Sequence, residues 1–83
     1  MKQVTMYGTS ACPYCASADQ LLQGKGVQVN KIMVDADPAE MVNMMHRSGR
    51  RSVPQIFVED VHIGGFDDLS ALDSAGNFLP LLG

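Results

Sequence analysis

Apolar residues in this chain come in short blocks whose spacing changes character several times, and glycine, proline or aspartate punctuates the blocks. Val4 and Met6, flanked by Tyr7, alternate with polar neighbours as an extended strand does, and Gly8-Thr9-Ser10 stops them. From Pro13 the period lengthens. Cys15, Ala18 and Leu22 fall at i, i+3 and i+7, and Leu21 widens the stripe, which predicts a helix to about Gln23. Pro13 suits the first helical position, where its missing N–H is not needed, and Gly24 and Gly26 end the segment. Val27 to Val34 alternates at first and is then more continuously apolar, which predicts a second strand.

The second helix has a start signal of its own. Asp37 is the expected N-cap, Pro38 follows it, and Glu40 completes a box-like D-x-x-E. Met41, Met44, Met45 and Ser48 share one face and Gly49 stops the helix; a methionine stripe at this spacing is assigned to the core and given no chemistry. Gln55–Glu59 and Val61–Ile63 predict two short strands, and Glu59-Asp60 between their apolar parts implies a tight hairpin. Gly64-Gly65 breaks the hairpin, Asp67 or Asp68 caps a last helix through about Ser74, and Gly76 ends it. The tail Phe78-Leu79-Pro80-Leu81-Leu82 is expected to pack back onto the rest. The order is β-α-β-α-β-β-α. A right-handed first crossover makes the first two strands parallel, and the hairpin adds antiparallel ones. The expected fold is therefore α/β and thioredoxin-like, a four-stranded mixed sheet flanked by three helices.

At 83 residues there is room for one domain, spanning 1–83, and 46% apolar against 18% charged residues suits a packed globule. Net charge is −3, from Asp+Glu 9 and Lys+Arg 6, which argues against nucleic acid as a general partner. Arg47, Arg50 and Arg51 are a local exception; they make either an anion site or a solvated helix end. The first residues turn polar too quickly for a signal peptide, and no apolar run reaches transmembrane length. A monomeric cytoplasmic protein without a membrane partner is expected. In a reducing compartment, two cysteines three apart point to redox chemistry or metal binding rather than a structural staple.

Cys12-Pro13-Tyr14-Cys15 carries that chemistry. With Cys12 as N-cap and Cys15 at the third helical position, the two Cα atoms lie roughly 5 Å apart, inside disulfide range. Cys12, at the positive end of the helix and near unpaired N–H groups, is the expected nucleophile. Cys15, on the Ala18/Leu22 face, is the more buried resolving thiol. Pro13 stiffens the turn, and Tyr14 faces outward where it can line a substrate groove. A zinc site needs about four ligands, and only His46 and His62 remain as strong candidates, so no metal is expected within one chain. A metal or cluster shared between two chains through Cys12 of each stays open.

Taken with Ser52-Val53-Pro54-Gln55-Ile56-Phe57 and Gly64-Gly65-Phe66-Asp67-Asp68-Leu69, the Cys-Pro-Tyr-Cys segment resembles the dithiol glutaredoxins, in particular the short bacterial glutaredoxin-3-like ones, over nearly the whole chain. The resemblance implies glutathione-dependent reduction of protein disulfides and glutathionylated proteins, with glutathione as co-substrate. It implies a cis Val53–Pro54 bond, with the Val53 N–H and C=O offered to the cysteinyl main chain of glutathione. The N–H groups of Phe66 and Asp67 would receive the γ-glutamyl carboxylate, close to the Gly65 backbone. The Asp67 side chain, with Asp68 nearby, would meet the ammonium, while one of the two aspartates also caps the helix. Arg50 or Arg51, just before Ser52, would meet the glycine carboxylate, with Arg47 a weaker candidate.

Two departures are noted. Ser52 stands where the family usually has Thr, and Thr9 where it commonly has Lys, three residues before the nucleophile. Two other readings keep the same cysteines. One is a redoxin reduced by thioredoxin reductase. The other is a glutathione-assisted iron–sulfur dimer, against which Pro13 and the second cysteine argue.

Overall fold

The computed structural model describes residues 1–83. Strand β1 (Val4–Gly8) is the element to which the others attach. It pairs in parallel with β2 (Val29–Met33), Val4 opposite Val29, and antiparallel with β3 (Gln55–Val58), Val4 opposite Val58. β4 (Val61–Gly64) closes the hairpin on β3, giving the order β2-β1-β3-β4. The turn is Glu59-Asp60, as the spacing required, with Glu59 at φ 50°. Three helices complete the α/β arrangement: α1 (Pro13–Gly24), α2 (Pro38–Ser48) and α3 (Phe66–Ser74).

Because side chains alternate along a strand, β1 and β3 feed two separate cores. Val4, Met6, Ile56 and Val58 face α1 and α3, where Ala18, Leu22, Leu69, Phe78 and Leu82 join them. Tyr7 and Phe57 point the other way and meet Met44 of α2, with Met41 and Met45 packed alongside. The methionine stripe is core, as expected. The tail also packs back: Leu79–Leu82 is a 3₁₀ turn, Phe78 and Leu82 are buried, and the Lys2 N–H donates to the Leu82 carbonyl at 2.8 Å. Burying each of those two side chains is worth about 2 kcal/mol.

Besides one-residue shifts at the ends of β3 and β4, three features differ from the sequence reading, each for a local reason. β2 is Val29–Met33 rather than 27–34. The buried Val27 and Val34 flank it instead, the Val27 N–H bonding to the end of α1 at Leu22 and the Val34 N–H to Gly8. Asp37 caps α2 through the Ala39 N–H at 3.1 Å, but Glu40 does not close a box, because its carboxylate accepts from Asn43 Nδ2 at 2.6 Å. The N-cap of α3 is Gly65, not an aspartate; Asp68 reaches back and accepts the Gly65 N–H at 3.0 Å.

The topology brings three connections to one end of the sheet. β1 runs out through Gly8 toward Cys12, β3 begins beside it at Gln55 opposite Tyr7, and β4 ends at Gly64 just before α3. No helix is long and apolar enough to cross a membrane.

Candidate active site

The tip of α1 has the geometry expected for its sequence. Cys12 is the N-cap in extended backbone (φ −113°, ψ 108°), Pro13 opens the helix, and the Cys15 N–H donates to Cys12 Sγ at 3.1 Å. The Cys12 thiol in turn points at the Val53 carbonyl, 3.9 Å away. The loop that delivers Cys12 is fastened by Ser10, whose N–H and hydroxyl both donate to Asp35, at 3.2 and 2.8 Å. Those two bonds hold the Asp35 carboxyl below its usual range.

The two sulfurs differ as the helix pattern required. Cys15 is 6% exposed, and a Cβ on Gly8 would sit 3.1 Å from its sulfur, so glycine there leaves room for the thiol. Burial, reinforced by the Cys12 side chain, pushes the Cys15 thiol from 9.0 up to about 11, with the Thr9 backbone acting in the opposite sense. Cys15 is therefore a neutral thiol near pH 7. Cys12 is only partly buried.

Beside Cys12 runs an open groove of about 290 Å³. One wall is Tyr14, 63% exposed, whose ring lies 6.3 Å from that of Phe66. The floor is Ser52, Val53, Pro54 and Gln55, and the far wall is Gly65, Phe66, Asp67 and Asp68, with Arg50 at the rim. Val53–Pro54 is cis, and the Val53 N–H makes no hydrogen bond within the chain. The N–H groups of Phe66 and Asp67 open α3 and have no helical acceptor behind them.

The charged groups are arranged less simply than the sequence suggested. Arg50 Nη1 donates to Asp68 Oδ2 at 3.1 Å, so two groups assigned to opposite ends of one ligand are paired with each other. The same carboxylate takes the Gly65 N–H and lies where a Cβ on Gly64 (φ +120°) would have to go. The Gly65 N–H first, and Arg50 second, hold the Asp68 carboxyl below its usual range. Asp67 is exposed and lines the groove. Arg51 is exposed but does not line it. Arg47 is placed elsewhere: its guanidinium lies 4.1 Å from the Phe57 ring centroid and donates to the Tyr7 hydroxyl at 2.9 Å, closing the smaller core.

Sequence reasoning missed one groove residue. Gln55 is 1% exposed; it stands inside the Ser52–Phe57 motif, but the one sign of a role of its own is an amide heading the apolar run Ile56-Phe57-Val58.

Comparison with known proteins bears on the same segments. A family model described as Glutaredoxin matches residues 4–63. Glutaredoxin 3 of Escherichia coli (strain K12) is 48% identical over 82 residues, covering 99% of this chain and 99% of that one. Glutaredoxin of Neisseria meningitidis serogroup B is 48% identical over 83 residues, covering 99% of this chain and 98% of its own. Among solved structures, the glutaredoxin from Brucella melitensis superposes with a TM-score of 0.86 at 46% identity, covering 99% of this chain and 89% of that one. The buckwheat glutaredoxin–glutathione complex gives a TM-score of 0.89 at 25% identity, covering 98% of this chain and 76% of that one.

Proposed function

The chain belongs to the glutaredoxin family and is a glutathione-dependent thiol–disulfide oxidoreductase, and from that premise we propose that Cys12 is its nucleophile, Cys15 its resolving thiol and the groove beside Cys12 its glutathione site. The observation that carries this reading is the convergence of Tyr14, Val53 and Gly65–Asp68 on one groove whose floor carbonyl faces the Cys12 thiol at 3.9 Å. A glutathionyl group lying there would pair its cysteinyl main chain with Val53 and set its γ-glutamyl carboxylate against the start of α3. Asp67 would take the ammonium and Arg50 the glycine carboxylate.

The reaction follows from the two sulfurs. The Cys12 thiolate attacks the glutathionyl sulfur of a mixed disulfide; the Cys12–glutathione bond forms as the protein thiolate leaves and takes up a proton. A second glutathione thiolate then attacks the bound glutathionyl sulfur, forming glutathione disulfide and returning Cys12 as thiolate. With a protein disulfide, Cys12 forms a mixed disulfide with the substrate, and Cys15 must lose its proton to attack Cys12 Sγ. The Cys12–Cys15 disulfide that results is reduced by two glutathiones. A neutral, buried Cys15 stays out of the first step and serves the second. We place the enzyme as a cytoplasmic monomer acting on disulfide-bearing or glutathionylated proteins.

The test is turnover of a glutathionylated peptide and of a protein disulfide by Cys12→Ser and Cys15→Ser, with glutathione or with thioredoxin reductase as reductant. Loss of both activities in Cys12→Ser, and of the protein-disulfide activity alone in Cys15→Ser, is expected. Deglutathionylation surviving in Cys12→Ser overturns the assignment. Faster turnover with thioredoxin reductase than with glutathione overturns the choice of reductant for the groove.

A further inference from the structure

The cis loop that floors the groove is weakly anchored for a ligand-binding segment. No backbone–backbone hydrogen bond reaches any residue from Arg50 to Pro54. What holds the Ser52 peptide is a side chain. Gln55 Nε2 donates to the Ser52 carbonyl at 3.0 Å and to the Ser52 hydroxyl at 3.2 Å. Gln55 is also the only amide or charged side chain in the buried set, and no buried side-chain nitrogen or oxygen lacks a partner.

An amide in that position must also satisfy its oxygen, since an unpaired buried acceptor costs about 1–3 kcal/mol. Gln55 Oε1 lies 2.7 Å from His62 Nε2 on β4. With both amide hydrogens committed to Ser52, the oxygen can only accept, so His62 Nε2 carries the hydrogen. The ring is itself held in place, tilted 32° against Phe57 with centroids 4.9 Å apart. Burial favours neutral His62, yet neutral and charged forms of this tautomer both keep the Nε2–H, so the link survives protonation.

We propose that Gln55 and His62 are positioning residues for the reaction: His62, acting through Gln55, fixes the Ser52–Val53 peptide in the orientation that presents Val53 to glutathione. Neither side chain takes part in sulfur exchange. Without His62 the Gln55 oxygen loses its donor, and any shift of the amide that lets the oxygen find another one loosens the hold of its hydrogens on Ser52. The proposal rests on the groove being the glutathione site.

The experiment is steady-state turnover of a glutathionylated peptide by His62→Phe, Gln55→Leu, the double variant, His62→Gln and Asp67→Ala. His62→Phe keeps the ring on Phe57 and removes only the hydrogen-bonding edge. It should raise KM roughly five- to tenfold, with kcat within about twofold. Gln55→Leu should do the same, the double variant no more than either, and His62→Gln should restore KM by returning an N–H. In the unaltered protein, NMR should show a slowly exchanging His62 Nε2–H, which needs no variant to fold. KM unchanged in His62→Phe but raised in Asp67→Ala overturns the positioning role and leaves the groove standing. KM unchanged in both overturns the groove reading itself. Additive losses in the double variant, a fall in kcat instead of a rise in KM, or a rapidly exchanging Nε2–H also overturns the positioning role.

Discussion

The dithiol and the groove beside it are one contact apart, Cys12 Sγ to the Val53 carbonyl, yet they are built on opposite principles. Cys12 and Cys15 belong to a single helical turn, and their asymmetry follows from where that turn begins and which face it buries. The groove is assembled from α1, the loop before β3 and the start of α3, which only the sheet order β2-β1-β3-β4 brings together. With the roles proposed above, reactivity is a local property and recognition a tertiary one. Damage to the first should remove the chemistry while leaving the fold, and damage to the second should weaken binding or folding while leaving the chemistry.

The sharpest way to break that contrast is at the sulfurs. Cys12→Ser should lower deglutathionylation at least about a thousandfold with little change in stability, because a hydroxyl cannot replace the sulfur of the proposed nucleophile. Asp67→Ala, in the groove, should raise KM by roughly tenfold, the scale of one charge-assisted hydrogen bond. Comparable losses in kcat from the two would mean that binding and chemistry are not separable here.

The next largest effect tests the tertiary side. Gly64 stands at φ +120°, and a Cβ there runs into the Asp68 carboxylate. Gly64→Ala should therefore destabilise the protein by about 2–4 kcal/mol, from backbone strain and overpacking together. A urea titration measures this. In the fraction that remains folded, Cys12 should alkylate at its original rate, since the α1 tip draws nothing from Gly64.

The same division decides what could be read from the sequence. Cys12, Pro13 and Cys15 declared their helical positions through spacing alone, and the Cys15 environment followed from Ala18 and Leu22. Asp37, Pro38 and Gly49 marked α2 for the same reason: caps and stops are local. Failures came where a side chain chose among distant partners. Arg47 lies among the other arginines in sequence, but the end of α2 sets it over Tyr7 and Phe57. Asp68 reads as a cap from its position, but it caps backwards onto Gly65 because Arg50 and the space beside Gly64 hold its carboxylate there. Gln55 gave almost no signal, since its partners are Ser52 on a loop and His62 on another strand.

A smaller effect, on the dithiol side, comes from pH. The Cys15 thiol is pushed from 9.0 up to about 11, chiefly by burial. Below the unfolded value both states keep the proton and the group adds no pH dependence. Between about 9 and 11 the unfolded chain loses the proton first, so stability falls as pH rises. The loss is on the order of 2 kcal/mol across that window. Comparing denaturation of the reduced protein with Cys15→Ala at pH 8 and pH 10.5 isolates it from the lysines and tyrosines; equal slopes would show that Cys15 is not buried as described. Near pH 8, a limiting alkylating reagent should label Cys12 and leave Cys15 free.

The smallest expected effect tests whether the groove uses a placed cation or a diffuse field. Arg50 and Asp68 pair at 3.1 Å with side chains 49% and 48% exposed, so the pair adds less than about 1 kcal/mol to stability and less still at high salt. Under the proposed glutathione site, a weak pair at the rim suits a ligand that must displace it, because an arriving glycine carboxylate would take over the guanidinium. Arg50→Ala should then leave the denaturation midpoint nearly unchanged and raise KM for the glutathionylated peptide by about two- to fourfold. Arg51→Ala should change neither, although it removes the same charge one residue along, because Arg51 does not line the groove. Equal rises in KM from the two, both vanishing in high salt, would replace the placed guanidinium with a diffuse positive field. Recognition at that end would then depend on charge in the segment rather than on its tertiary arrangement.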